Sequence, residues 1–305
     1  MQLLRGRTAG IEQLAISCDG RFLMAGTTSR HVWDLHEPKA KPRVISAGEP
    51  NDCDLDVQFL TATQVFVKTL RTPGWYRHDL ETGVTTDLIR PLGLSWEKVH
   101  IHPSGGTIKI VGRVQPDVRE LSTYRVVGDR LVLLDPPRPL SIWLSGFNPS
   151  GTHYLALTQE PPARRSVYGL HDTASDAAVT TFESAGTCLR DARTWCFSSD
   201  GRGVFAADRK LLRYDCSTGG QPALAADWPS VKYAYHPPIA AHPDGRLLAT
   251  LEDGRVVTFR DADTLEVLRI YDFAMPTVTC VAFTPDGTRC VIGNSRGKVL
   301  LFDVD

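Results

Sequence analysis

The chain has 305 residues, a formal net charge of −1 and a hydrophobic share of 42%. This balance excludes bulk electrostatic attraction to nucleic acids or acidic membranes, and it is ordinary for a soluble globular protein. The first residues, MQLLRGRTAG, lack the apolar segment of a secretion signal, and no run of about 18 apolar residues occurs. We therefore expect a cytoplasmic protein that binds neither nucleic acid nor membrane.

A pattern of short apolar runs and tight turns repeats along the whole chain. The repeat is about 43 residues long, and each unit holds three β-like runs with a fourth run before the next unit. Asp-Gly and Ser-Gly turns, which supply the positive φ that tight strand connections need, follow the first run of most units. In the second unit LTATQ (60–64) replaces this turn. The turn residues are Asp19, Ser104, Ser150, Asp200, Asp244 and Asp286.

Four antiparallel strands in each of seven units predict an all-β protein, a single seven-bladed β-propeller over residues 1–305. The last unit supplies only three runs, so we expect the extended segment 1–6 to add the missing outer strand beside residues 298–303 and to complete that blade. In chain order, the predicted blades cover about 11–47, 55–90, 96–135, 140–183, 193–226, 236–271 and 277–303.

A dipeptide that ends in aspartate closes the third run of most units. It reads Trp33-Asp34 in the first unit and Phe302-Asp303 in the last, with His78-Asp79, His171-Asp172, Tyr214-Asp215 and Arg260-Asp261 between them. Together with the Pro-Asp-Gly-type turns, these residues make the chain resemble a WD40-repeat propeller over essentially its whole length. The Gly-His that usually opens such repeats is absent from the sequence.

The resemblance implies strands a, b, c and d running outward in each blade, with the b–c turns and the d–a connections on the usual partner-binding face. Most of the b–c turns carry arginine, which binds carboxylates and phosphates bidentately. These arginines suit an acidic or phosphorylated peptide; the alternative is that they are solvated surface charges. The candidates are Arg30, Arg71, Arg113, Arg119, Arg164, Arg165, Arg209 and Arg296.

An aromatic connection, DWPSVKYAYHPP (227–238), belongs to the same face by this assignment. Trp228, Tyr233 and Tyr235 are the residue types that anchor interfaces, because they bury much area at a low ordering cost. They could equally fill the gap between two blades. We keep them as candidate partner-binding residues.

No catalytic or metal-binding pattern stands out. The motif GNSRG (293–297) fits G-x-S-x-G, but that motif works at a strand-to-helix elbow, and here it lies between two predicted strands. The cysteines are scattered without a C-x-x-C pair, so we expect free thiols and neither a bound metal nor a cofactor.

The sequence therefore favours a non-catalytic protein–protein interaction scaffold. We expect it to present a rigid loop face to a peptide or protein partner; an acidic partner is one form of this hypothesis. We expect a monomeric propeller or a subunit of a complex. The alternative is a propeller enzyme, a metal-assisted hydrolase or lactonase, with its site in the central channel. Asp56 and His100 are the titratable candidates for that alternative.

Overall fold

A computed structural model describes most of the chain. The described residues are 1–4, 10–11, 13–26, 30–45, 55–69, 75–88, 95–103, 105–115, 118–140, 143–159, 166–184, 195–207, 210–227, 238–252, 254–275 and 277–304. They form β-strands joined by turns, and among them no helix is long and apolar enough to cross a membrane.

The chain divides into two compact units, an N-terminal unit (15–141) and a C-terminal unit (1–14 and 142–305). We call each antiparallel sheet a blade and name its strands a to d in chain order. Blades 1 to 3 lie in the N-terminal unit, apart from the first residues of strand a of blade 1. Blade 1 consists of β2 (Gln13–Ile16), β3 (Phe22–Gly26), β4 (Arg30–Asp34) and β5 (Arg43–Ile45). Blade 2 consists of β6 (Leu55–Phe59), β7 (Gln64–Thr69), β8 (Trp75–Asp79) and β9 (Thr85–Asp87). Blade 3 contains β10 (Ser95–Ile101), β11 (Thr107–Gln115), β12 (Val118–Val127) and β13 (Arg130–Leu133).

Blades 4 to 7 form the C-terminal unit. Blade 4 consists of β15 (Trp143–Phe147), β16 (His153–Gln159), β17 (Ser166–Asp172) and β18 (Ala178–Ser184). Blade 5 consists of β19 (Trp195–Phe197), β20 (Gly203–Ala207), β21 (Lys210–Asp215) and β22 (Leu224–Asp227). Blade 6 consists of β23 (Ile239–Ala241), β24 (Leu247–Glu252), β25 (Val256–Asp261) and β26 (Val267–Asp272). Strands a to c of blade 7 are β27 (Val278–Phe283), β28 (Arg289–Asn294) and β29 (Val299–Asp303). For the described residues, the predicted all-β class with seven antiparallel blades is confirmed. That they make a single domain, with the blade limits given above, stays a prediction.

The outer strand of blade 7 comes from the other end of the chain. Strand β1 (Gln2–Leu4) pairs antiparallel with β29, with Leu3 opposite Leu300 and Leu4 opposite Val299. Leu4 is buried, whereas Leu3 is exposed. The predicted pairing of the N-terminal segment with the last blade is therefore confirmed.

Blade 3 departs from the predicted four strands, because a fifth strand, β14 (Arg138–Leu140), joins it. Strand β12 is long enough to pair with two successive strands. Its end, from Tyr124 to Val127, pairs with β13, and its start, from Arg119 to Leu121, pairs with β14. Pro136 and Pro137 separate these two partners, since proline cannot continue a hydrogen-bonded ladder.

Apolar side chains from adjacent blades form the core. Between blades 6 and 7, Phe259 packs against Phe283 and Phe302 in one buried cluster. In the N-terminal unit, Phe66 and Trp75 of blade 2 pack in the same cluster as Ile110 of blade 3. Alternate residues of the strands thus bury both faces of a blade, which a single sheet could not achieve.

Tight turns between strands a and b are fixed by a repeated polar arrangement. In blade 7 the Thr284 hydroxyl donates to Asp286 at 2.6 Å, and Asp286 accepts the Thr288 amide at 3.1 Å. Ser17 with Asp19 and Ser198 with Asp200 make the same contacts in blades 1 and 5. These turns hold the strands in register and leave the opposite ends of the blades for the longer connections.

Candidate partner-binding face

The b–c turns of blades 6 and 7 meet the d–a connection that joins these two blades. The amide of Val278, after the d–a connection, donates to the carbonyl of Gly254 in the b–c turn of blade 6 at 2.7 Å. The amide of Ser295, in the b–c turn of blade 7, donates to the Thr277 carbonyl at 2.9 Å. The segment Thr277–Val278 therefore ties the two b–c turns together.

The b–c turn of blade 7 is held by a buried asparagine. Asn294 Oδ1 accepts the amide of Arg296 at 3.1 Å and that of Lys298 at 2.8 Å. Gly297 completes the turn at a φ of +76°, a conformation that favours glycine. Because Asn294 is buried and bonds to both sides of the turn, the turn has a defined shape before any partner binds.

In blade 6 one acidic residue of the b–c turn, Glu252, is used inside the fold, and the other, Asp253, lies outside the described residues. Glu252 lies 2.7 Å from Arg260 Nη2, and the two side chains are only 15% and 7% exposed. Arg260 also donates to the Leu265 carbonyl at 2.9 Å. Glu252 therefore neutralises a buried guanidinium rather than presenting a negative charge at the turn.

Three cations remain exposed on these two turns: Arg255 in blade 6, and Arg296 and Lys298 in blade 7. Within the part of the chain that the structure describes, none of them makes an ion pair. Exposed cations on two turns that are hydrogen-bonded through the same short segment form a local positive surface, which we call the basic b–c patch.

The structure places the predicted site residues unevenly. Arg296 lies in the basic b–c patch, as expected from the turn assignment. Arg113 and Arg119 lie in β11 and β12 of the N-terminal unit and are direct register partners. The following candidates lie outside the described residues: Arg71, Arg164, Arg165, Arg209, Trp228, Tyr233 and Tyr235.

Arg30 differs from the exposed turn residue that the sequence suggested. It begins β4 and is only 5% exposed, and its Nη1 donates to the carbonyl of Gly26 across the strand pair. The reason is that the strand starts earlier than the turn pattern indicated, which draws the side chain into the fold. We therefore leave Arg30 out of the binding surface.

Arg255 and Lys298 were not among the sequence candidates. Each directly precedes strand c of its blade, β25 or β29. The sequence signal that identifies them is a basic residue immediately before strand c in two neighbouring repeats.

Ser295 of the G-x-S-x-G match lies in the turn between β28 and β29, without the strand-to-helix elbow that a nucleophile of that type needs. Among the described residues, no group of three or more His, Cys, Asp or Glu side chains could hold a metal ion. Burial raises the pKa of the Cys196 and Cys216 thiols to about 12, which makes them poor nucleophiles at neutral pH.

A protein-family model matches the end of the chain. Residues 268–303 match the WD40 family, described as WD domain, G-beta repeat. This stretch covers strands a to c of blade 7 (β27, β28 and β29) and most of the outer strand of blade 6. No curated protein matches the chain.

The chain is similar in structure to the propeller of Dos1. The TM-score is 0.65 at 15% sequence identity, and the match covers 96% of this chain and 77% of the other. A likeness at this identity shows the fold, which is a β-propeller. With the matched WD40 repeat, it confirms the predicted resemblance to WD40-repeat propellers.

Proposed function

We propose that this protein is a non-catalytic interaction scaffold whose basic b–c patch binds an acidic peptide segment of a protein partner. This proposal rests on the exposed cations Arg255, Arg296 and Lys298, which lie on two turns that are joined by hydrogen bonds. The WD40 propeller fold commonly mediates protein interactions, which supports a binding role over a catalytic one.

Preformed geometry is the physical advantage of this surface. Asn294 and the contacts of Thr277 hold the turns before binding, so the partner's binding free energy is not spent on ordering loops. The guanidinium groups of Arg255 and Arg296 can each donate two hydrogen bonds to a carboxylate or phosphate group, while Lys298 adds a point charge.

The proposal is tested by fluorescence anisotropy with a labelled oligo-glutamate peptide. We compare the wild type with the double variant Arg255→Ala/Arg296→Ala at low and physiological salt. Two exposed charge contacts correspond to a loss of about three- to ten-fold in affinity, and binding should weaken as salt rises.

The matched control is Arg202→Ala/Arg246→Ala, which removes two exposed arginines from the a–b turns of blades 5 and 6. It changes the net charge by the same amount on the other side of the blades. Equal losses in the two double variants would show attraction to bulk charge and would contradict a defined face. Absence of any binding by the wild type would also contradict it.

The metal-assisted enzyme stays a competing prediction of the sequence and has its own measurement. Elemental analysis of the purified protein distinguishes it from the scaffold, because stoichiometric calcium or zinc would contradict the scaffold proposal. Of the two channel candidates, the His100 side chain is buried, and the Asp56 side chain lies outside the description.

A further inference from the structure

The outer strand of blade 6 exposes an aliphatic run. Val267, Leu268 and Ile270 of β26 are 47%, 51% and 62% exposed. β26 is the last strand in the order β23-β24-β25-β26, so no strand of the described chain pairs with its outer edge. An edge of this kind presents free backbone donors and acceptors beside apolar side chains.

The other outer strands are shorter than β26 or expose fewer large aliphatic side chains. Strands β13 and β22 have four residues each; β13 exposes Val132 and Leu133, and β22 exposes Leu224. Strands β1, β5 and β9 have three residues each, and β9 is polar. Strand β18 is longer but exposes a single large aliphatic residue, Val179. Natural proteins blunt free edges by shortening them or adding charge. Strand β26 has one irregularity, a bulge at Leu268 in its pairing with β25, but its six residues and three exposed aliphatic side chains set it apart.

The two faces of β26 have different roles. Tyr271 stands opposite Val257 and packs against Phe259 and Phe273, so its face belongs to the core shared with blade 7. Ile270 is adjacent in sequence and stands opposite Thr258, which puts it on the other face, because side chains alternate along a strand. The exposed run is therefore available beside the open edge and is not needed for the core.

Charges at the two ends of the run indicate the kind of partner. Glu266 precedes the strand and Asp272 ends it, and both are exposed without an ion pair in the described residues. Among the described residues, the Asp272 carboxylate accepts one hydrogen bond, from the Ala274 amide at 2.8 Å. The cation of the strand, Arg269, stands opposite Phe259 on the face of Tyr271 and thus away from Ile270.

We propose that β26 is a docking edge for an extended partner segment that has aliphatic residues at its centre and Lys or Arg at its ends. The segment adds a fifth strand to blade 6. Backbone hydrogen bonds to the open edge supply affinity, and the exposed aliphatic run and the two acids supply specificity. This surface is separate from the basic b–c patch and selects a partner of the opposite charge.

The probe is a labelled peptide, Lys-Thr-Val-Thr-Ile-Thr-Lys, measured by fluorescence anisotropy against the wild type, Ile270→Lys and Asp272→Asn. We expect Ile270→Lys to weaken binding at least about ten-fold, since it removes an aliphatic contact and adds a repelling charge. Asp272→Asn, which keeps an acceptor for Ala274, should weaken binding less and reduce its salt dependence. Hydrogen exchange of residues 267–272 should slow when the peptide is added.

Val179→Lys is the matched control, because it places the same charge on β18, the outer strand of blade 4. Unchanged binding by this variant is expected, and a loss equal to that of Ile270→Lys would overturn the assignment to β26. Equal binding of a peptide with glutamate at both ends would overturn the charge argument. Sedimentation that shows a wild-type dimer, made monomeric by Ile270→Lys, would replace the partner segment with a second copy of this chain.

Discussion

Nε2 of His242 donates a hydrogen bond to the carbonyl of Gly287 at 2.8 Å and so joins the a–b turns of blades 6 and 7. The imidazole is buried and packs edge-on against Phe283, with ring centroids 4.9 Å apart. The turn glycine of a blade contacts the preceding blade in other pairs too, with Gly201 against Asn148 and Gly245 against Ser199. The turn glycines thus serve the contact between blades as well as the turn itself.

Replacing Gly287 by alanine should destabilise the C-terminal unit through two effects. Its φ of +72° disfavours any side chain, and an added Cβ would lie 2.5 Å from the His242 ring. The backbone effect costs about 1–2 kcal/mol, and loss of the hydrogen bond to His242 adds about 1 kcal/mol. Chemical denaturation of the wild type and the variant measures the change in the free energy of unfolding.

Gly220→Ala separates these two effects. Gly220 has a φ of +75° in the same unit, but nothing lies within 4 Å of an added Cβ. It should show only the backbone cost. Equal destabilisation by Gly220→Ala and Gly287→Ala would disprove a role for the contact with His242.

The repeat architecture was predictable because it depends on local signals. Turn glycines, β-branched runs and their spacing recur in most blades, and even the pairing of Leu3 with the last blade followed from one missing strand. The fifth strand of blade 3 was not predictable, since Arg138–Leu140 is short and contains Pro139. Its partner, the long strand β12, is known only from the tertiary structure.

The site was less predictable than the fold, since a turn assignment does not give the burial of a side chain. Arg30 reads as an exposed turn residue but bonds to the Gly26 carbonyl inside the sheet. Glu252 stands opposite Val256 in the strand pair but bonds to Arg260, which stands opposite Leu248. Such pairings depend on where long side chains run, which the sequence pattern does not contain.

Breaking the Glu252–Arg260 pair should be costly, because both groups are largely buried. Glu252→Gln keeps the shape of the side chain but leaves the Arg260 charge uncompensated, at a cost of about 3 kcal/mol. The double variant Glu252→Gln/Arg260→Met should recover part of this loss, since no buried charge remains. Urea denaturation measures all three free energies of unfolding.

Asp227→Asn is the control for this prediction. The pair of Lys210 and Asp227 spans 3.8 Å, but its side chains are 59% and 100% exposed. Its loss should cost less than about 1 kcal/mol. A comparable effect of Glu252→Gln would mean that the Glu252–Arg260 pair contributes no more than a surface ion pair.

Acidic pH should destabilise the protein through its c–d turns. The hydrogen bond from the Thr264 amide lowers the pKa of the Asp261 carboxyl below its ordinary value. Slight burial raises this pKa in part, and the hydrogen bond from the Asp263 amide lowers it further. The Ser217 hydroxyl does the same for the pKa of Asp215. Because the folded pKa lies below the unfolded value of about 3.9, this stabilisation is complete above that pH and is lost as the pH falls through the folded pKa.

Thermal unfolding between neutral pH and pH about 3 measures this dependence. The variant Asp215→Asn/Asp261→Asn should be less stable than the wild type at neutral pH, and the two should converge in acid. The carboxylates are exposed, so solvent screening keeps the difference small. Parallel curves at all pH values would show that these carboxylates do not contribute.

Strand β1 should contribute to stability through one side only. Leu4 is buried beside β29, whereas its neighbour Leu3 is largely exposed, so the two make a matched pair on the same short strand. Leu4→Ala should cost about 2–3 kcal/mol through the cavity it leaves, and Leu3→Ala less than about 0.5 kcal/mol. Hydrogen exchange of Val299–Asp303 should accelerate in Leu4→Ala, since weaker packing of β1 uncovers the edge of β29. If Leu3→Ala and Leu4→Ala had the same free energy of unfolding, and hydrogen exchange in β29 were unchanged, the N-terminal strand would add nothing to the stability of blade 7.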